Sequence, residues 1–338
     1  MGATRRPTLA DVARLSGMSK TAVSLILNDR PSRLSTEAVE RVRQAAAQLD
    51  YKPNLAAQSL RSGKTRSIGF ISDRVTITRL ATPMLSGTLR AAKELDHTVL
   101  IAETGDDVSE LADAFREMID RRVDGVIVGL LAARLVDVPP APPSFPVVIV
   151  NGRTPDDLPS VLPDEYAAGR AMASVLLDAG HTRVGFIGDI PHIASDPRRS
   201  VTIADRLAGI RDAFAARGLT PVEVIVPDWT PEYGFMETPR MLDEHPDLTA
   251  LIAATDAVAF GVYQALAERG LRVPGDISVV SFDDEELGAL LRPGLTTARL
   301  PYEQMARLGV EMLLGVRELA HETLPVPVIA RDSVRALR

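Results

Sequence analysis

The sequence predicts an α/β chain in which a small N-terminal helical domain precedes two doubly wound parallel-sheet subdomains. Residues 1–66 carry 12 Lys and Arg against 5 Asp and Glu, whereas residues 67–338 carry 26 against 40. The first 50 residues have only helical periodicity, and from Ser67 onward short Val/Ile-rich runs alternate with helical stretches. About 270 residues exceed one comfortable core, so we expect this second part to divide in two.

The N-terminal part has the pattern of three short amphipathic helices. Thr8 and Asp11 form the Ser/Thr-x-x-Asp/Glu signature that begins a helix, and Gly17 permits a tight turn after it. Ser19 caps a second helix, and Ser35 begins a third. The first two helices and their turn make a helix-turn-helix, a motif that places its second helix in the DNA major groove. Because any three-helix bundle has similar periodicity, residue identities are needed to support DNA binding.

The charge of this part, a net +7, favours a phosphate-bearing partner, because each neutralised phosphate releases counterions. A solvated basic surface would carry the same charge. Residues 53–61 are helix-prone but too few to form a stable helix alone in water, so we expect them to fold on contact. The predicted divisions are therefore a helix-turn-helix headpiece at 1–52, a hinge helix and linker at 53–64, and a core at 65–338.

The core is predicted to contain two series of buried parallel strands, because unbroken Val/Ile runs between helices indicate sheets covered on both faces. The strands are expected at 68–71, 99–101, 125–128 and 147–150, then at 184–187, 222–225, 251–253 and 277–280. The helices between them are expected at 85–95, 111–121, 166–179, 205–217 and 257–268. Late strands at 296–300 and 326–329 each return to one series. We expect a first subdomain of about 65–163 plus 296–324 and a second of about 164–295 plus 325–338.

Several motifs occur in order along the chain: TLADVA at 8–13, SGMS at 16–19, TAVS at 21–24 and LDYKPN at 49–54. In the core, GHTRVGFIG occupies 180–188, RLAG 206–209, DISVVSFDD 276–284 and PGLTT 293–297. This order resembles the LacI/GalR family of bacterial transcription factors, whose regulatory core shares the architecture of periplasmic sugar-binding proteins. The stretch 73–83 departs from the family pattern, because it lacks the usual aromatic residues.

By this resemblance, the helix that follows Ser19 reads the major groove, and Lys20, Thr21 and Ser24 are its exposed contacts. Lys20 can instead contact phosphate alone. The resemblance also makes residues 53–61 a hinge helix, two copies of which pair in the minor groove, where Leu60 enters the central base step. Alternatively, Leu60 packs on the next domain. The expected DNA contacts are Thr8, Ser19, Lys20, Thr21, Ser24, Asn28, Tyr51, Asn54, Ala57 and Leu60.

A ligand is expected at the carboxyl ends of the strands, where doubly wound sheets bind small molecules. By motif position Arg206, Thr255 and Asp283 match effector contacts of the family. Trp229, the only tryptophan, can stack on a sugar ring or simply pack, and Asp283 can also cap the following helix. The expected effector contacts are Asp73, Asn151, Asp164, Arg206, Trp229, Thr255 and Asp283.

The resemblance implies a sequence-specific repressor that binds palindromic operator DNA as a homodimer and is controlled by a small-molecule effector, a sugar. The alternatives are a solute-binding protein of transport and an enzyme of the sugar-kinase or dehydrogenase class. The absence of a signal-like segment counts against the first, and the absence of Walker and Gly-x-Gly-x-x-Gly loops counts against the second. With no cysteine and no apolar run of 18 residues, we expect a cytoplasmic, non-enzymatic protein with no cofactor, metal or membrane association.

Overall fold

The computed structural model of the chain describes residues 7–27, 34–51, 63–79, 81–105 and 108–337. The chain divides into two compact units, Met1–Thr65 and Arg66–Arg338. Within the described ranges, none of the helices combines the length and the apolarity that crossing a bilayer requires.

The described part of the first unit consists of three helices around a small apolar core, which confirms the predicted helix-turn-helix. They are α1 (Leu9–Ser16), α2 (Lys20–Leu27) and α3 (Thr36–Gln48). The Asp11 carboxylate accepts hydrogen bonds from the backbone N–H (2.9 Å) and the hydroxyl (2.7 Å) of Thr8, and Gly17 ends α1 with a φ of 71°. The core consists of Val12, Ala13, Val23, Ile26, Val42, Ala45 and Ala46.

The second unit begins with alternating strands and helices that build a first sheet. Its elements are β1 (Ser67–Ser72), α4 (Thr82–Glu94), β2 (Thr98–Glu103), α5 (Val108–Asp120), β3 (Val126–Leu135), β4 (Val147–Arg153) and β5 (Ser160–Pro163). Val/Ile runs such as 147–150 are buried, because separate apolar clusters cover the two faces of the sheet.

The chain then enters a second sheet of the same design. Its elements are α6 (Glu165–Asp178), β6 (Val184–Asp189), α7 (Pro191–Ala194), α8 (Ile203–Ala215), β7 (Val222–Ile225), α9 (Pro231–Glu244), β8 (Ala250–Ala253), α10 (Asp256–Glu268), β9 (Ser278–Asp283), α11 (Glu286–Leu290) and β10 (Thr296–Arg299). Helices α6 and α8 cover one face of this sheet, and α9 and α10 cover the other.

The last elements are α12 (Tyr302–Leu313), β11 (Glu322–Leu324) and β12 (Val328–Ile329). The strand orders are β11-β5-β4-β3-β1-β2 in the first sheet and β12-β10-β9-β8-β6-β7 in the second. All pairs are parallel except that of β10 with β12. The predicted fold class, with two parallel-sheet subdomains after the headpiece, is therefore confirmed.

One predicted boundary is wrong. The expectation assigned residues 296–299 to the first subdomain, but β10 pairs with β9 of the second sheet, in the register Thr296–Val280 to Arg299–Asp283. The reason is long-range: the Thr297 hydroxyl donates to the Asp256 carboxylate (2.8 Å), which follows β8. The chain crosses back only after Arg299, and α12 then packs with α4 in a core of the first sheet.

Candidate nucleic-acid interface and ligand cleft

Helix α2 presents a polar face that the sequence predicted for base and phosphate contacts. Lys20 and Thr21 are exposed and Ser24 is half-buried, whereas Val23 and Ile26 face the core. The spacing of i, i+1 and i+4 groups the three polar side chains on one side of the helix, because 3.6 residues make one turn. This face can offer an ammonium and two hydroxyl groups to a polyanion.

The other predicted DNA contacts differ in their surroundings. The Ser19 hydroxyl accepts a hydrogen bond from Ala22 N (3.1 Å), so it caps α2, and Thr8 donates its hydroxyl to Asp11. Tyr51 packs partly against the apolar core of the unit. The remaining predicted contacts lie outside the described residues: Asn28, Asn54, Ala57 and Leu60.

In the second unit, the candidate ligand cleft contains a buried ion pair between side chains of α8 and α6. Arg206 donates from Nε to Glu165 Oε2 (2.7 Å) and from Nη2 to Glu165 Oε1 (2.6 Å), and its Nη1 donates to the Ala254 carbonyl (2.9 Å). Burial opposes the charge, but Glu165 outweighs this effect and raises the pKa of Arg206. The guanidinium lies 4.4 Å from the Phe282 ring centroid.

Two glycines bring these helices close enough for the pair to form. A Cβ built at Gly169 of α6 would lie 2.2 Å from the Arg206 carbonyl oxygen, and one built at Gly209 of α8 would lie 2.2 Å from the Tyr166 carbonyl oxygen. The two backbones therefore touch, and Glu165 and Arg206 face each other across that contact.

Asp283, the last residue of β9, is the predicted effector contact whose side chain is left unengaged. It is only 9% exposed, its φ is 102°, and within the described residues its carboxylate makes no hydrogen bond to the protein. Some polar atoms of the described residues are fully enclosed and lack a hydrogen-bond partner, but neither Asp283 carboxylate oxygen is one of them. Since these oxygens have no hydrogen bond to those residues, they must keep some accessible surface, so solvent reaches the Asp283 carboxylate. Burial raises the pKa of Asp283 to about 8; Arg206 lowers it, whereas three carboxylates raise it further, those of Asp256, Glu165 and Glu285.

Asp256 lies beside this group at the start of α10. Its carboxylate accepts from the Thr297 hydroxyl (2.8 Å) and from Glu285 N (2.7 Å). Burial raises the pKa of Asp256 to about 7, although these hydrogen bonds oppose the shift. Asp256 therefore links three elements of the second sheet at its carboxyl edge.

In the first subdomain, Asp73 and Asn151 lie together, but their polar side-chain atoms already bond to other groups of the protein. Asp73 Oδ1 accepts from Leu131 N (2.9 Å), and its Oδ2 pairs with Arg134 (3.3 Å). Asn151 Nδ2 donates to the carbonyls of Leu130 (3.0 Å) and Leu131 (2.9 Å). Both residues therefore shape the irregular part of β3, where its register with β4 shifts between 129 and 134.

Asp164, Thr255 and Trp229 have structural partners as well. Asp164 caps α6 through Ala167 N (2.9 Å), and Thr255 caps α10 through Val258 N (3.2 Å). The Trp229 indole donates to the Gly188 carbonyl (2.8 Å), and its ring lies 5.6 Å from the Arg206 guanidinium carbon. The ring is half-buried, so one part of it is open to a ligand.

The two subdomains are joined across the cleft by a strap, residues 197–201, that pairs with the end of β3. The two backbone hydrogen bonds run from Leu135 N to Pro197 O (2.8 Å) and from Val201 N to Ala133 O (2.6 Å). Arg198 pairs with Asp137 (2.6 Å) beside them. Tyr302 also lies between the subdomains: it donates to the Leu131 carbonyl (3.1 Å), and burial followed by the charge of Asp283 raises its pKa.

The structure thus brings Arg206, Trp229 and Asp283 together at one site and Asp73 with Asn151 at another. Sequence reasoning missed Glu165 and Tyr302 as members of the cleft. Glu165 follows the predicted Asp164 cap, and an acidic residue in a first helical turn is ordinary, so only the close crossing of α6 and α8 identifies its partner.

Comparisons with known proteins agree with both regions. A model of bacterial regulatory proteins of the lacI family matches residues 8–54, and a periplasmic binding protein-like domain matches residues 173–334. The ribose operon repressor of Escherichia coli (strain K12) is 30% identical over 318 residues, which cover 91% of this chain and 92% of that repressor. The ribose operon repressor of Haemophilus influenzae is 29% identical, with coverage of 98% and 99%.

A solved structure, the lac repressor dimer bound to operator and the anti-inducer ONPF, is similar to the chain with a TM-score of 0.75. The two chains are 26% identical, and the alignment covers 98% of this chain and 100% of the other. The similarity therefore extends over both units.

Proposed function

The chain belongs to the LacI family of bacterial regulatory proteins and is a DNA-binding transcriptional regulator, and we propose that it is a homodimeric repressor of a palindromic operator, controlled by a small polyhydroxy ligand such as a sugar. Its relatives are repressors rather than enzymes. The proposal adds the residues that contact DNA and ligand and the way in which the two sites are coupled.

The proposed DNA-reading surface is the polar face of α2. Lys20 and Thr21 are exposed on it, and Ser24 lies one turn later. A lysine can reach guanine O6 and N7, and a threonine can bond a base edge or contact a thymine methyl group. We assign Asn28, Tyr51 and Asn54 to the same interface on the headpiece motif alone, with the paired hinge helices and Leu60 in the minor groove.

The observation that most directly carries the proposed ligand site is the Asp283 carboxylate, which solvent reaches and to which no group of the described residues hydrogen-bonds. A buried carboxyl group without a partner is costly, and a ligand hydroxyl would satisfy it. The half-buried Trp229 ring beside Arg206 supplies a flat surface for a sugar ring. These groups together fit a polyhydroxy compound.

A palindrome reader needs two-fold symmetry, so we propose that two copies pair through the core. The helices expected at this interface lie at 83–92, 284–291 and 305–316. Three large apolar side chains on the first two of them are exposed in the single chain, Leu89 (44%), Leu287 (38%) and Leu290 (60%). Sedimentation of the full chain should therefore give roughly twice 36.4 kDa.

The proposed coupling requires that the ligand binds one arrangement of the subdomains better than the other, since otherwise it shifts no equilibrium. Asp283 and Arg206 belong to the second subdomain, and the residues around Leu131 belong to the first. A ligand that closes the cleft between them moves the first subdomains of a dimer, and residues 63–65 pass this change to the hinge helices. A coupling of about 1–3 kcal/mol gives a 5–150-fold change in operator affinity.

The test is a gel-shift with the DNA upstream of the chain's own reading frame, with and without a panel of sugars. We expect tight binding to one palindromic segment and release, or tighter binding, with one class of sugar. A chain that binds sugar but no DNA would instead be a solute-binding protein. Asp283→Ala should abolish the ligand response and leave ligand-free DNA binding intact, whereas Leu60→Ala should weaken operator binding and leave ligand affinity unchanged.

A further inference from the structure

The charge balance around Arg206 is unusual for a site that contains an arginine. Asp283 interacts electrostatically with one positive group, the Arg206 guanidinium. It also interacts with three carboxylates, those of Glu165, Asp256 and Glu285. The Glu165 carboxylate accepts hydrogen bonds from both Nε and Nη2 of Arg206, which is the bidentate geometry in which arginine also binds a carboxylate ligand. The side chains of Arg206 and Glu165 are only 3% and 4% exposed. The positive charge is therefore already balanced inside the protein.

Three other arginines near the carboxyl ends of the strands are also paired with carboxylates, whereas Arg153, the last residue of β4, contacts His321 (2.6 Å). Arg134 pairs with Asp73 (3.3 Å), and Arg299 pairs with Asp284 (2.6 Å). Arg331 pairs with the second oxygen of Asp284 (2.5 Å). Each of these three cations is already paired with a carboxylate, so none of them offers an unbalanced charge to an incoming anion.

We propose that the ligand of this cleft is a polyhydroxy compound without negative charge, and that Glu165 is the specificity-determining residue that rejects phosphorylated and carboxylated forms. Glu165 acts by neutralising the charge of Arg206, so that the guanidinium does not attract an anion. Asp283 accepts hydrogen bonds from the ligand. The inference rests on the proposed ligand-controlled function and names the chemical class of its ligand.

The experiment uses the fluorescence of Trp229, the only tryptophan of the chain, which lies 5.6 Å from the Arg206 guanidinium carbon and reports on this site. The full chain and Glu165→Gln are titrated at constant ionic strength with sodium sulfate and inorganic phosphate. They are also titrated with D-ribose, D-ribose 5-phosphate, D-glucose and D-glucose 6-phosphate. Asp247→Asn is the matched control, because it removes a carboxylate paired with Arg183 at the opposite edge of the sheet, before β6 and β8.

We expect no saturable response of the wild type or of Asp247→Asn to sulfate, phosphate or the sugar phosphates. Glu165→Gln should acquire a saturable response to these anions, with an affinity higher by at least about tenfold, because Arg206 regains an unbalanced charge. A saturable response of the wild type to any anion would overturn the proposal. So would a Glu165→Gln variant that folds and responds no more than the wild type.

Asp283→Asn keeps the proposal testable if Glu165→Gln does not fold. It replaces a carboxylate that makes no hydrogen bond to the residues that the structure describes, so the fold keeps those contacts. Above pH 8, where Asp283 is ionised, this variant should also raise anion affinity, and an unchanged response to sulfate and phosphate at that pH would contradict the inference. Failure of the proposed function would appear differently, as an operator complex that no sugar affects, and it would leave the anion titrations unchanged.

Discussion

At the scale of single residues, Arg206 and Asp283 lie in one cleft but differ in how much their side chains contribute to the stability of the fold. Arg206→Ala leaves Glu165 buried without its partner, so we expect the free energy of unfolding to fall by about 3–5 kcal/mol. Urea unfolding followed by Trp229 fluorescence measures this in the second unit. In Arg183→Ala, which breaks the exposed pair with Asp247, the cost should stay below about 1 kcal/mol. Equal losses in the two variants would contradict the assignment of a buried pair.

A loss of ligand response in Arg206→Ala would therefore be ambiguous, because stability falls with it. Asp283 is the better probe of binding, since within the described part of the chain its carboxylate stabilises no neighbouring element by a hydrogen bond. Its raised pKa also makes it a source of pH dependence.

The sign of that dependence follows from the two states of the chain. An unfolded aspartate ionises near pH 3.8, whereas burial raises the pKa of Asp283 to about 8 in the folded protein. Between these values the folded state binds more protons, so this group lowers the free energy of unfolding as the pH rises. We expect the stability of Asp283→Asn relative to the wild type to increase from pH 5 to pH 8, as measured by urea unfolding. A difference that is constant over this range would show that Asp283 is ionised throughout, and a difference that decreases would equally contradict the raised pKa.

At the scale of elements, the sequence was sufficient for local structure and for the headpiece. Caps such as Thr8 and Ser35, together with apolar spacing, located the described helices of the first unit, and Val/Ile runs located most strands of the two sheets. It was insufficient where pairing depends on distant residues. Strand β10 was assigned to the wrong sheet because its register with β9 and its hydrogen bond to Asp256 bridge segments far apart in the chain.

The site was predictable to a similar extent. Motif position and strand ends predicted Arg206, Asp283 and Trp229 as ligand contacts, and the structure brings these three residues together. The pattern could not distinguish them from Asp73 and Asn151, whose polar groups bind the backbone of β3. That distinction depends on how each side chain turns at the end of its strand, and residue spacing does not encode it.

The crossing of α6 and α8 yields a further prediction. Gly209→Ala would gain about 1 kcal/mol of helix propensity, but its Cβ would lie 2.2 Å from the Tyr166 carbonyl oxygen. Backbone cannot yield as a flexible side chain does, and overpacking typically costs about 1–3 kcal/mol or more, so we expect net destabilisation and a weakened Arg206–Glu165 pair. Thermal unfolding followed by Trp229 fluorescence tests this. Gly275→Ala is the control and should change little, because the three atoms nearest to its Cβ belong to the flexible Arg272 side chain, at 3.3 to 3.5 Å. A Gly209→Ala variant as stable as the wild type would mean that the helices can move apart freely.

At the scale of the whole molecule, the two units carry opposite charge. The first unit, Met1–Thr65, has a net +6 and the second, Arg66–Arg338, a net −13, within a chain whose net charge is −7. The acidic unit repels DNA, so we expect the contacts to DNA phosphates to come from the N-terminal part. We therefore expect non-specific affinity to be confined to the N-terminal part, which also carries the proposed reading face of α2.

This charge division leads to a prediction about salt. If a dimer makes roughly 6–10 phosphate contacts, operator affinity should fall about 10³–10⁵-fold between 50 and 200 mM salt. Fluorescence anisotropy of a labelled operator duplex gives the slope, and the same duplex with a scrambled palindrome is the reference. Because each contact releases counterions whatever the sequence, both slopes should be steep, and their separation measures the part of the affinity that bases supply.

Lys20→Ala decides between the two roles left open for that residue. If Lys20 contacts phosphate alone, the variant should bind both duplexes more weakly by a similar factor, and each lost contact should reduce the salt slope by about 1. If it contacts a base, the operator should lose about 1–3 kcal/mol while the scrambled duplex loses less. Lys93→Ala on α4 is the control, because it removes one positive charge from the acidic unit and should leave both slopes unchanged. A wild-type affinity that is flat between 50 and 200 mM salt would contradict the electrostatic basis of the interface, since a polyanion cannot be bound through the N-terminal charge without displacing its counterions.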